Sequence, residues 1–323
     1  MIRGLVIGKF MPVHKGHVAL INFAAARCDE LVVSMSYTDI DPINFNFRFE
    51  WLKEIFDQQP HIKIHIIKDD FDEETQPLPD RTKIWAKRMK ECYPQIQVIF
   101  SSENYGDFFA ESLGAKHVHF DPSRKDIPIS ATLIRTKPFS YWDYIPFIVR
   151  PFFVKKICFY GPESTGKSTM AKLMAAHYKT EYVTEAARDI LNSNEFSAED
   201  IVRIAVTQQR YIHEKLKTAN KILFCDTDIL TTQIYAKYYL GIIPEMLFEI
   251  EKKNTYDIYF LMDIDTAWVD DPLRDLGEKR EEMMTKFKAE LDKRNIPYIL
   301  IQGNYKERER KVIQHVNALL QKF

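Results

Sequence analysis

Short apolar runs, each closed by turn residues, alternate along the chain with longer segments in which apolar side chains recur at helical spacing. Residues 5–7, 30–36, 62–67 and 97–101 predict strands, and 17–27, 47–58 and 81–93 predict helices between them. A second series of strands is predicted at 156–160, 181–184, 222–225, 258–262 and 298–301, again separated by helical segments. Such alternation implies mainly parallel sheets flanked by helices, so the expected class is α/β. His61 and His65 alternate with Ile62, Ile64 and Ile66, the period of a strand with a polar outer face, so no metal is inferred there.

The chain has 323 residues, enough for about two domains at roughly 150 residues each. The stretch 137–154 is rich in proline and aromatics and poor in glycine and serine, which predicts a packed connector and two domains held against each other. The expected domains are 1–145 and 146–323. At 46% hydrophobic and 28% charged the chain should be folded throughout. The first 150 residues carry 19 Lys and Arg against 20 Asp and Glu, and the remainder 26 against 26. Neither part has the basic excess of a protein held mainly to nucleic acid or an anionic membrane.

The four cysteines show no CxxC spacing and lie near apolar residues, which predicts buried free thiols. Charge and glycine enter the amino terminus before a signal-length apolar stretch can form, and no apolar run approaches a membrane span. The expectation is a soluble cytoplasmic protein without membrane insertion, and the sequence leaves room for a homo-oligomer.

Candidate chemistry is most specific in the second half. Gly161-Pro-Glu163-Ser164-Thr165-Gly166-Lys167-Ser168 is a complete phosphate-binding loop between a predicted strand and a predicted helix, with Thr169 following. Backbone N–H groups there can cradle phosphates, Lys167 can reach the β- and γ-phosphates of ATP, and the Ser168 hydroxyl can ligate Mg2+. Asp226 directly follows four apolar residues, where a metal-holding or base carboxylate is expected, with Thr227 and Asp228 after it. Glu185 occupies a comparable strand end. The charged segment 270–280 reads as a lid carrying Arg274, and Trp268 before it is either a stacking platform or core.

In the first half, Gly8-Lys9-Phe10-Met-Pro12-Val-His14-Lys-Gly16-His17 follows the first predicted strand. Two histidines three apart at a helix start place imidazoles and amides around one anion. Zinc is disfavoured, because neither a third ligand nor an HExxH acid is nearby. Far downstream, Ile129-Ser130-Ala-Thr132-Leu-Ile-Arg135 offers two hydroxyls and a guanidinium at another helix start.

Together these motifs resemble the HxGH nucleotidyltransferase superfamily, whose members carry GxFxPxHxGH and, near the domain end, ISxTxxR. With a P-loop kinase behind them and Pro138-Phe-Ser-Tyr-Trp-Asp-Tyr-Ile-Pro146 at the junction, the whole chain resembles the NadR-type bifunctional nicotinamide-mononucleotide adenylyltransferases and ribosylnicotinamide kinases. The resemblance implies a Rossmann-like nucleotidyltransferase domain followed by a kinase domain. It implies that His14, His17, Ser130, Thr132 and Arg135 bind ATP phosphates, that Ser102, Glu103, Asp121 and Arg124 complete the nucleotide site, and that Trp85 lies against nicotinamide. It assigns Glu185, Asp226, Thr227, Asp228, Trp268 and Arg274 to the riboside site and lid of the second domain.

The implied substrates are nicotinamide riboside, nicotinamide mononucleotide and ATP, with Mg2+ as cofactor and NAD as product. Which of Glu185 and Asp226 acts as base stays open. The rivals are a phosphopantetheine adenylyltransferase fused to a dephospho-coenzyme A kinase, and a nucleotide sensor without turnover. Repressor relatives carry a helix-turn-helix ahead of the first strand, where this sequence has only Met1 to Gly4, so no DNA-binding role is expected.

Overall fold

Runs rich in valine, isoleucine and leucine become strands covered on both faces, as parallel sheets require. In the computed structural model, which describes residues 1–72, 75–193 and 195–322, they form two sheets, one in each of two units, Met1–Arg150 and Pro151–Lys322.

The first sheet contains β1 (Arg3–Gly8), β2 (Glu30–Tyr37), β3 (Ile62–Lys68), β4 (Val98–Ser101) and β5 (Lys116–His119), in the order β3-β2-β1-β4-β5, all pairs parallel. Strand β5 and the helix Tyr105–Leu113 are absent from the sequence expectation. The Lys-His-Val-His pattern of β5 carries a single apolar residue, and only pairing with β4 makes it a strand.

The second sheet contains β6 (Lys155–Tyr160), β7 (Glu181–Val183), β8 (Ile222–Asp226), β9 (Ile258–Met262) and β10 (Tyr298–Ile301), in the order β10-β9-β6-β8-β7, again parallel. Alternate residues face opposite sides: Cys158, Tyr160 and Leu261 enter one core, and Ile157, Phe159, Phe224 and Phe260 the other. In both sheets the unit's first strand lies inside, β1 between β2 and β4, and β6 between β8 and β9. The crossovers leave such a strand in opposite directions, which opens a crevice beyond its carboxyl end.

The stretch around residue 145 is ordered: Phe139, Trp142, Ile145 and Val149 are buried, and the Arg150 guanidinium lies over the Phe147 ring and donates to the Ile145 carbonyl at 3.1 Å. All four thiols are free. Cys158 and Cys225 are buried as expected, but Cys28 is half-buried and Cys92, at a helix end, is exposed. Among the described residues no helix is long and apolar enough to cross a membrane.

The largest fully buried side chains are two arginines, Arg48 and Arg308, one in each unit. From the helix Phe45–Ile55, Arg48 donates to the Lys9 carbonyl at 2.7 Å, the Ser36 carbonyl at 3.4 Å and the Asp41 carboxylate at 2.7 Å. It thereby ties the ends of β1 and β2 together. Burial pushes the Asp41 carboxyl up, but hydrogen bonds from Thr38 and Arg48 hold it below its ordinary value. Arg308, on the helix Tyr305–Gln321, donates to the carbonyls of Thr165 at 2.7 Å, Gly303 at 2.8 Å and Asp263 at 3.1 Å, and to the Asp265 carboxylate.

Replacing Arg48 by methionine leaves Asp41 and two carbonyls without their cation. The expected cost is about 3–5 kcal/mol of unfolding free energy, measured by urea denaturation; a loss below about 1 kcal/mol would show that the pair does not secure the loop.

Candidate functional sites

The first site lies beyond β1. Gly8 ends the strand, and Phe10 follows with φ of 47°, a left-handed conformation that aims its ring inward, 4.9 Å from His17 and edge-on. His14 then caps the helix Lys15–Ala25, its Nδ1 accepting from the His17 backbone N–H at 3.3 Å. A neutral imidazole that accepts at Nδ1 carries its proton on Nε2. The His17 ring stacks on that of His14, with centroids 3.6 Å apart.

Burial, with a smaller contribution from the Arg124 guanidinium, depresses His14 to about 3. His17 is also well below its ordinary value, first through burial and then through His14 and Arg124. Both rings are therefore neutral N–H donors before an anion arrives, and His17 Nδ1 is buried without a hydrogen-bond partner.

Ser130 caps the helix Ala131–Thr136 by accepting from the Leu133 N–H at 3.3 Å. Arg135 on that helix donates to the Met11 carbonyl and, at 3.1 Å, to Thr132 Oγ1. It thus joins the two motifs that lie more than a hundred residues apart in sequence. Asp121, at φ of 39°, accepts from the N–H groups of Lys125 at 2.8 Å and of Asp126 and Ile127 at 3.1 Å, which shapes the loop that presents Arg124. Arg124 in turn donates to Glu103 at 3.1 Å.

Gly8, Lys9, Phe10, His14, His17, Trp85, Ser102, Glu103, Asp121, Arg124, Ser130, Thr132 and Arg135 all line one cleft of about 1740 Å³. Trp85 sits on its apolar side, edge-on to Tyr105 with ring centroids 5.8 Å apart and with the Arg81 guanidinium 5.3 Å from its ring. Arg81 is held by a two-pronged contact with Asp72, at 2.9 and 2.5 Å. Arg48, Arg81, Asp72 and Tyr105 are absent from the sequence reading, because no local motif marks a residue whose role is to hold a loop or brace a ring.

The second site lies beyond β6. Gly161 at φ of 138° and Gly166 at φ of 86° bend the loop into the helix Lys167–Tyr178, and a side chain at Gly161 would collide with the Met262 carbonyl at 2.8 Å. Lys167 folds back over the loop, its Nζ 2.9 Å from the Gly161 carbonyl and 2.6 Å from that of Pro162. These bonds keep the ammonium pre-aimed at the loop's concave side. Glu163 is pushed up to about 7, by burial and then by Asp275, and its Oε2 is buried without a partner.

Asp226 ends β8 in register with Phe159 of β6, which places it under the loop, hydrogen-bonded by Ser168. Burial, followed by the nearby Glu185, raises it to about 6, and its Oδ1 has no partner. A buried carboxylate with a free oxygen next to a hydroxyl suits a hard cation with oxygen ligands. Asp228 is placed differently. It caps the helix Ile229–Leu240, accepting from the Thr231 N–H at 3.1 Å and from Tyr259 Oη at 2.9 Å, so both its oxygens are engaged within the fold.

Glu163, Ser164, Thr165, Gly166, Lys167, Ser168, Thr169, Glu185, Thr227 and Arg274 line a second cleft, of about 1060 Å³. Arg188 bridges its rim, 3.5 Å from Glu185 and 2.8 Å from Asp271. The segment after β9 is clasped to the loop: Val269 N–H donates to Ser164 Oγ at 2.8 Å, and Arg280 donates to the Ser164 carbonyl at 3.2 Å. Arg274, tied to the Val269 carbonyl at 2.8 Å, rides on that segment.

Trp268 lies outside the cleft lining, its Nε1 donating to Asp270 at 2.8 Å and its ring against Gly277. Unsignalled in sequence are Arg188, Tyr235, Tyr239 and Gln208, which also line the cleft. Gln208 accepts from the Ala186 N–H at 2.8 Å and keeps its buried Nε2 without a partner.

Comparisons with known proteins reach both units. Residues 156–308 match the family model described as an AAA domain. Solved structures of NadR protein in complex with NAD and AMP-PNP, and in complex with NR, share the fold over 98% of this chain and 95% of theirs, with TM-scores of 0.81 and 0.83 at 24% and 22% identity. The nicotinamide-nucleotide adenylyltransferase of Pyrococcus abyssi is 31% identical over 42% of this chain and 73% of its own. The trifunctional NAD biosynthesis/regulator protein NadR of Escherichia coli is 33% identical, covering 98% of this chain and 83% of that protein, and its Salmonella typhimurium counterpart is 31% identical over the same shares. With a similarity that runs through both units, the chain belongs to the NadR family.

Proposed function

We propose that the chain makes NAD in two steps, phosphorylating nicotinamide riboside in the second unit and adenylylating the resulting mononucleotide in the first. The reading rests on the coexistence of two complete phosphate sites, His14–His17 with Arg135 in one unit and the Lys167 loop with Asp226 in the other, in a chain of the NadR family. Free thiols and two ATP-consuming reactions suit a cytoplasmic location.

In the second unit the loop's N–H groups and Lys167 hold the triphosphate. Glu185, which lines the cleft, orients the riboside 5′-hydroxyl toward the γ-phosphorus and accepts its proton as the new P–O bond forms and ADP leaves. Arg274 and Arg188 neutralise charge on the transferring group. Ser168 and Asp226 would hold Mg2+, which when bound neutralises charge across the β- and γ-phosphates. Burial of the Gln208 amide donor in the cleft provides a fixed partner for a polar group of the riboside.

In the first unit the mononucleotide phosphate attacks the α-phosphorus of ATP and pyrophosphate leaves. His14 and His17 donate N–H bonds to the phosphates, Arg124 and Arg135 balance the charge, and Trp85 forms an apolar wall for the nicotinamide ring. No covalent protein intermediate is needed, because alignment of two bound reactants supplies much of the rate.

Three outcomes follow. Incubated with ATP and nicotinamide riboside, the protein should yield NAD by mass spectrometry, whereas phosphopantetheine should remain unchanged; the converse would overturn the assignment. Lys167→Ala should remove riboside phosphorylation by at least about a hundredfold while sparing adenylyl transfer, and His17→Ala should do the reverse; loss of both activities in either folded variant would refute two separate sites. Because Asp226 must be ionised to act and titrates near 6, kinase kcat/KM should fall about tenfold per pH unit below that value. A flat kinase profile between pH 5 and 7 would contradict this.

A further inference from the structure

The structure assigns a third site that neither reaction uses: Asp107, His117 and His119, between β5 and the helix Tyr105–Leu113, form a binding site for one divalent transition metal ion of the zinc class. The three side chains offer ligand atoms that all lie within 4.8 Å of one another. His117 Nδ1 is 2.7 Å and His119 Nε2 3.5 Å from the same Asp107 oxygen. Strand geometry puts the two histidines, two residues apart, on one face of β5, and the helix brings the carboxylate over them. Two imidazoles and one carboxylate with an open fourth position are a donor set suited to Zn2+ or Co2+, whereas Mg2+ and Ca2+ favour oxygen ligands.

The surroundings argue that the cluster is built. Ser101 Oγ donates to the Glu103 carbonyl at 3.0 Å, so it accepts from His117 Nε2–H at 2.9 Å. That bond places the lone pair of a neutral His117 on Nδ1, facing the Asp107 carboxylate. The 2.7 Å contact between His117 and Asp107 brings these two potential ligands together, and a ligating histidine whose other nitrogen donates to a fixed oxygen is the usual outer support of a metal site. Gly106 makes room for the ring: any β-carbon there would lie 2.1 Å from His117 Nε2. The His117 side chain is 5% exposed, while Asp107 and His119 are open to solvent, which provides an entry path. The site adjoins residues of the nucleotide cleft along the chain, since Ser101 immediately precedes Ser102–Glu103 and His119 lies two residues before Asp121.

Titration of the untagged full chain with Co2+, followed by visible absorbance, tests the assignment. One equivalent should develop the intense d–d bands of a low-coordinate nitrogen and oxygen site. These should vanish in His119→Ala and Asp107→Asn, and Ser101→Ala should weaken binding about tenfold or more. Zn2+ should raise the melting temperature of the wild type but of neither ligand variant. Absence of Co2+ binding by the wild type, or binding that survives in both His119→Ala and Asp107→Asn, would overturn the site. Asp107 is largely exposed, so its substitution tests the site even if the histidine variant is poorly folded.

Discussion

A loop that turns its backbone N–H groups toward phosphate must turn carbonyls the other way, into the protein, and those carbonyls need donors. Both units meet this constraint with a fully buried arginine. Arg48 serves the Gly8–Phe10 turn through the Lys9 carbonyl, and Arg308 serves the P-loop through the Thr165 carbonyl. A guanidinium presents several donors in one rigid plane, so one side chain can fasten two or three strand ends at once. Each arginine is paired with a carboxylate, Arg48 with the buried Asp41 and Arg308 with the partly exposed Asp265.

The two sites treat charge differently. In the first, burial keeps His14 and His17 neutral, so they act as directional donors and the fixed positive charge comes from Arg124 and Arg135. In the second, Lys167 is already folded against the loop carbonyls, and the unmet charge is negative: Asp226 and Glu163 are both raised by burial and both have an oxygen without a partner.

The strand pattern was legible because valine and isoleucine runs flanked by turns have few alternatives in a parallel sheet. All five strands of the second unit and four of the first were expected. Strand β5 escaped because an edge strand of four residues, mostly polar, carries no periodic signal. Site residues within contiguous motifs were equally legible, since a phosphate loop or a capped helix start is a local object. Residues that act on others from a distance were not, as Arg188 between Glu185 and Asp271 illustrates.

Sequence by itself determined the α/β class, the two sets of strands, the two phosphate motifs and the resemblance that unites them, because each is encoded in short-range spacing. Tertiary structure alone decided how Asp226 and Asp228, two residues apart, divide their work. One faces the loop with a free oxygen, and the other spends both oxygens on a helix cap and a tyrosine. It also decided that Trp268 lies against Gly277, outside the cleft lining, and that Asp107 meets His117 and His119. These outcomes depend on which way a side chain points when strands and helices close over it, and that direction is set by long-range packing that residue order does not display.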